Sequence, residues 1–128
     1  MSPIKPDDRR KYARLDIALT VSYAMESSSG KISEYAEAVS SDISAGGLRL
    51  MTPTALEVGA HLDLEIFLGE DPENKIHSKG EVMWQTKISN TSYETGVFLS
   101  HMDIDDKKKL LGFVFDQMSR LVGLQVRD

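Results

Sequence analysis

Apolar side chains recur at every second position in short runs along most of this chain, and a two-residue period suits strands with one buried face. Leu15, Ile17, Leu19, Val21 and Tyr23 alternate with Asp16, Ala18, Thr20 and Ser22. After Gly59 the pattern returns at Leu62, Leu64, Ile66 and Leu68. Ile76, Ser78, Gly80, Val82 and Trp84 share a face of a further run, with Met83 opposite, and the glycine inside it suggests a bulge or bend. Thr95, Val97 and Leu99 form a last strand, while Leu48 and Leu50 form a short one that Pro53 ends. Residues 35–43 alternate less cleanly: Tyr35, Glu37, Val39, Ser41 and Ile43 fall on one face, Ala36 and Ala38 on the other. The polar and glycine-bearing stretches 26–30, 40–47, 69–74 and 89–92 read as loops and turns.

Beyond Met102 the period changes. Leu110, Leu111, Val114, Phe115, Met118, Leu121 and Val122 recur at spacings of three and four, which marks one face of a helix over about 105–122. Lys107, Lys108 and Lys109 near its start oppose the helix dipole, and Asp103, Asp105 and Asp106 offset them and can cap the first turn. About six short antiparallel strands leave edges that closure removes. The expected fold is therefore all-β: a small antiparallel barrel with a C-terminal α-helix at an opening or side. A chain of 128 residues suits one domain. Residues 1–8, with Pro3 and Pro6 and no periodicity, read as a flexible tail, leaving 9–128 as the domain.

The charge narrows the partners. A net charge of -5 disfavours long nucleic acid. Yet Lys5, Arg9, Arg10, Lys11 and Arg14 gather near the N-terminus against only Asp7 and Asp8. A local positive patch on an acidic body fits a small anion. No run reaches the length of a membrane span, the first residues lack a signal peptide's apolar core, and there is no cysteine. These features predict a cytoplasmic protein without membrane insertion.

Two constellations carry chemistry. Arg10-Lys11-Tyr12-Ala13-Arg14 ends where the first strand begins, and in extended chain Arg10 and Arg14 point the same way. Two guanidiniums stay charged, donate in bidentate pairs to phosphate, and can address guanine or stack on a base. The same residues also read as solvated charges paired with nearby aspartates. In Asp42-Ile43-Ser44-Ala45-Gly46-Gly47, the Asp42 carboxylate can accept from a guanine edge or an arginine. Ser44 offers a compact hydroxyl, and Gly46 and Gly47 let a ligand approach the backbone. A plain turn with a side-chain cap is the alternative for this segment.

Taken together, Arg10-x-x-x-Arg14 and Asp42-x-Ser44-x-x-Gly47 resemble the paired signature of PilZ domains, RxxxR followed by [D/N]xSxxG. Both halves are complete, in the family's order, and the resemblance covers the chain from about Arg9. It implies a bacterial second-messenger receptor whose ligand is cyclic di-GMP. Arg10 and Arg14 would grip its phosphates and guanines, Asp42 and Ser44 would read a guanine, and Gly47 would shape the turn. Arg9, just before the pair, is similar to the setting that favours an intercalated pair of ligands over one. An added cation would offset the doubled phosphate charge. Because Arg10 and Arg14 repel each other until ligand phosphates intervene, the arm is expected to become ordered on binding and to signal to a downstream protein partner, which the sequence does not identify.

The remaining candidates read as structural. Trp84 is expected to pack against the barrel interior or the helix, with stacking on a base as the lesser reading. Tyr12 packs or contacts a base, and Gly96 is a structural glycine near the barrel mouth. His61, His77 and His101 lack ligand spacing, and no catalytic motif is present, so neither a metal site nor an enzyme is expected. Two other functions compete: a nucleotide-independent adaptor of the same fold, and a barrel that binds single-stranded nucleic acid. The net charge and the lack of regular surface aromatics weaken the second.

Overall fold

Of the alternation over 15–23, residues 19–23 fall in strand β1 (Leu19–Glu26) in a computed structural model that describes residues 17–44 and 46–126, with side chains through residue 120; Ile17 and Ala18 precede the strand, and Leu15 and Asp16 lie outside the described residues. Leu19, Val21 and Tyr23 are buried, as a two-residue period requires. The other strands are β2 (Ala36–Ile43), β3 (Gly47–Thr52), β4 (His61–Phe67), β5 (Lys75–Ser89) and β6 (Ser92–His101). They pair antiparallel in the order β1-β2-β3-β6-β5-β4, and β4 returns to β1 to close a barrel. Closure satisfies the backbone along both sides of the sheet. The interior is filled by side chains from all six strands, among them Ala38, Leu50, Leu64, Ile76 and Val97.

The weak pattern over 35–43 has a geometric cause. The register of β2 against β3 shifts between Ser40 and Asp42, so Ser41 is an extra residue. Such a bulge exchanges the two faces of a strand. Ahead of it Ala38 and Ser40 are buried and Val39 is exposed; beyond it Ile43 is buried. The residues from Glu37 to Ile43 therefore do not share one face. The bulge also brings Asp42 opposite Arg49 of β3, while Ile43 pairs with Leu48. The turn expected over 40–47 is correspondingly shorter, because Ser40, Ser41 and Asp42 belong to β2.

Strand β5 changes face in the same way. Ile76, Ser78, Gly80 and Val82 are buried, but the register against β6 shifts between Val82 and Trp84, and both Met83 and Trp84 are exposed. Trp84 therefore does not share the inner face of Val82 and lies outside the core. Helix α1 (Ile104–Val126) runs past the 105–122 expected, with Gly123 inside it. It closes on the barrel through Leu110 and Val114, which are buried, and through Phe113 and Met118. Leu111 and Phe115, on the same predicted apolar face, remain exposed. The Asp106 carboxylate accepts from the backbone N–H of His77, tying the helix start to β5.

A polar network on the outer wall holds β1, β4, β5 and the segment before β2 together. The buried Asp63 carboxylate accepts from the Tyr35 hydroxyl, from His77 Nε2 at 2.7 Å and from Lys79 Nζ at 3.1 Å. Lys79 also reaches Glu26 Oε1 at 2.8 Å. Burial pushes the Asp63 carboxyl up, but donation from Tyr35, Lys79 and His77 outweighs it and holds the group below its ordinary value of 3.8. The hydrogen bond to Asp63, then burial, pushes the Tyr35 phenol up to about 12. A depressed carboxyl stabilises the fold above its unfolded value, and that contribution is lost as pH falls through the folded one. Asp63→Asn should therefore lower stability at neutral pH by about 1–2 kcal/mol. In urea titrations below pH 4 the gap between variant and parent should narrow; a gap that widened would contradict this assignment.

Candidate functional site

On the outer wall, a groove of about 300 Å³ runs across β2, β3, β6 and β5, with residues at the bulges of β2 and β5 among its lining. Asp42, Ser44, Gly46 and Gly47 line one side, and Arg49 from β3 forms part of the floor. Met83, Trp84 and Phe98 supply an apolar wall. Of the residues predicted to bind, Asp42, Ser44, Gly46 and Gly47 are thus brought to one place. Arg9, Arg10 and Arg14 lie outside the described residues, as does Tyr12.

The turn between β2 and β3 is held locally. The backbone N–H of Ser44 donates to Gly47 O at 2.9 Å, and the N–H of Gly46 donates to Ser44 Oγ at 3.2 Å. The Ser44 hydroxyl therefore also braces the turn, as the capped-turn reading foresaw. Gly47 answers to close packing: a Cβ there would lie 2.6 Å from the carbonyl oxygen of Val97. No other residue fits without moving β6. Leu99 N–H donates to Gly46 O at 3.1 Å and continues the junction with β6.

Asp42 is nearly buried and engages Arg49. Nη2 of Arg49 lies 2.7 Å and Nε 3.2 Å from the same oxygen, Asp42 Oδ2. Nη1 reaches Glu94 Oε2 on β6 at 3.2 Å. The hydrogen bond to Asp42 raises the Arg49 pKa further, against the opposing effect of burial, so the guanidinium is fixed as a cation. The sequence reading overlooked Arg49. Two signals were available: it is the only Lys or Arg between Lys31 and Lys75, and it alternates with the inward Leu48 and Leu50. Glu94 carries no such signal, because its place depends on the pairing of β3 with β6.

Trp84 packs closely against Gly96. A Cβ at Gly96 would come within 2.2 Å of the indole, so the absence of a side chain makes the seat for the ring. Gly96 is structural, as expected, but it serves the groove. Trp84 is 42% exposed, Met83 52% and Phe98 47%, enough to offer apolar surface to a planar group. A larger cavity lies elsewhere, about 740 Å³ between the start of β1, the β4–β5 turn and Phe113 of the helix. Glu37 and Glu70 line it, and it holds none of the predicted residues. His77 pairs with Asp63, and among the described residues no group of three His, Asp or Glu is placed to hold a metal ion. Among them too, no helix is long and apolar enough to cross a membrane.

The PilZ domain family profile matches residues 8–116, and the chain belongs to this family. Among solved structures, the inhibitor of motility MotI/DgrA of Bacillus subtilis superposes with a TM-score of 0.69 at 22% identity, covering 88% of this chain and 52% of that one. The PilZ domain of YcgR from Escherichia coli, solved with c-di-GMP, gives 0.65 at 13% identity, covering 94% and 99%. The MrkH–c-di-GMP complex of K. pneumonia gives 0.66 at 18%, covering 94% and 55%. At these identities the likeness is one of fold. The chain spans about half the length of the MotI/DgrA and MrkH chains. No curated protein matches its sequence.

Proposed function

We propose that this protein is a receptor for cyclic di-GMP that binds without chemistry. The ligand is held between Arg10 and Arg14 of an N-terminal arm and the groove at Asp42, Ser44, Gly46 and Gly47. The observation that carries this reading is the meeting of Asp42, Ser44 and Gly47 with Trp84 in one groove, in a PilZ domain whose sequence has both halves of the paired motif. Guanine presents adjacent N–H donors that a carboxylate accepts, and its face suits the apolar wall formed by Trp84. The arginines supply the positive charge for the phosphates, which the groove's own acids do not. Arg9 adds a third cation and favours an intercalated pair.

Residues 1–8 are the tail and 9–128 the binding domain in this reading. Binding orders the arm over the turn, and the altered surface is what a downstream protein in the cytoplasm recognises. Such coupling requires the ligand to favour the ordered arm.

Trp84 is the sole tryptophan, so its emission reports the groove. Titration with cyclic di-GMP should give saturable heat in calorimetry and a parallel change in Trp84 fluorescence, with a ligand-to-protein ratio of two for the intercalated pair. Cyclic di-AMP and GTP should bind at least about tenfold more weakly, since adenine mispairs with Asp42 and GTP lacks the second base. Absence of both signals with cyclic di-GMP would rule out the receptor and favour the nucleotide-independent adaptor.

A further inference from the structure

We infer that Arg49 is the positioning residue of the guanine-reading subsite: it fixes the rotation of the Asp42 carboxylate and so sets base selectivity. This rests on the cyclic di-GMP reading above and adds to it a residue outside the paired motif. The geometry is specific. Arg49 sits on the middle strand of three, with Asp42 on β2 to one side and Glu94 on β6 to the other. Its Nε and Nη2 converge on Oδ2 of Asp42, and its Nη1 is held by Glu94. The guanidinium is planar, so anchoring its two ends sets its plane, and two donors on one oxygen then restrict the carboxylate.

That restriction matters because the last torsion of an aspartate is broad and weakly constrained by itself. Guanine offers two N–H donors side by side, and how a carboxylate meets them depends on the orientation of its plane. A carboxylate already held in one orientation loses less freedom on binding. Glu94 has its own part: it keeps Arg49 between two acids, so the guanidinium does not swing toward ligand phosphate. Arg49 thus acts through Asp42 and need not touch the ligand.

The test compares cyclic di-GMP with cyclic di-IMP, whose hypoxanthine lacks the exocyclic amine, by calorimetry. The parent protein should prefer cyclic di-GMP by about tenfold or more, the worth of a hydrogen bond to a charged group. Arg49→Gln should reduce that preference to about twofold or less, with most of the loss on cyclic di-GMP. Asp42→Asn should do the same, and the double variant should lose no more preference than either single one. Arg49→Lys keeps the charge but not the fork, and should also lose preference; it stands in should Arg49→Gln melt. If Arg49→Gln weakens both nucleotides equally and keeps the preference, Arg49 is a structural or phosphate-facing residue and the inference fails. If the parent binds both nucleotides equally, the inference also fails while the receptor reading stands. If the parent binds neither, the receptor reading fails and takes this inference with it.

Discussion

A variant with alanine at both Arg10 and Arg14 is expected to bind cyclic di-GMP about a thousandfold more weakly while melting within a degree or two of the parent. Each guanidinium can place two parallel N–H donors on a phosphate, and a hydrogen bond to a charged group contributes about 1.5–3 kcal/mol. Loss of one such contact is about tenfold or more, and loss of two is about 4 kcal/mol, or a thousandfold. The described core begins at Leu19, beyond the pair, so stability should survive. Each single replacement should remove a large part of the affinity, and Arg14→Lys should recover only a fraction, because a point charge replaces a fork. Calorimetry with thermal melting decides the matter. Unchanged affinity in the double variant would remove the arm from the site.

The second large effect is predicted at Gly47. Gly47→Ala should cost about 3 kcal/mol, a fall of roughly 10 °C in Tm, and should abolish nucleotide binding. The added methyl would lie 2.6 Å from the carbonyl oxygen of Val97, a backbone atom that cannot turn aside as a side chain can. Relief comes only by parting β3 from β6, and that displaces Arg49, Gly96 and the seat of Trp84. Gly112 is the internal control: it is helical, and a Cβ there meets nothing within 4 Å. Gly112→Ala should raise stability by about 0.5–1 kcal/mol. A Gly47→Ala protein as stable as its parent would show that the close approach is not a constraint.

Much of the fold was legible from periodicity. Runs such as Leu62-Leu64-Ile66 keep one phase from end to end, so their inner face could be read directly. The failures occur where the phase slips. Ser41 is an extra residue in β2, and the shift at Val82–Trp84 turns the indole out of the core; neither leaves a mark such as a proline or a glycine at that point. Asp42, Ser44, Gly46 and Gly47 could be singled out because their spacing is local. Arg49, Glu94 and Trp84 join them only through pairing between strands distant in sequence, which periodicity within a strand does not encode. The helix was visible, but not how its apolar face divides: Leu110 and Val114 seal the barrel while Leu111 and Phe115 face outward.

The filled barrel has a kinetic consequence. Leu50, Leu62, Leu64 and Ile66 are fully buried in the core, and the groove lies on the outer wall. A molecule arriving there need not wait for strands to breathe, and one departing need not part the barrel. Its residence time is therefore set by its contacts with the groove and the arm, and substitutions that loosen the core will shorten the life of the fold without changing the exchange rate until the wall itself gives way.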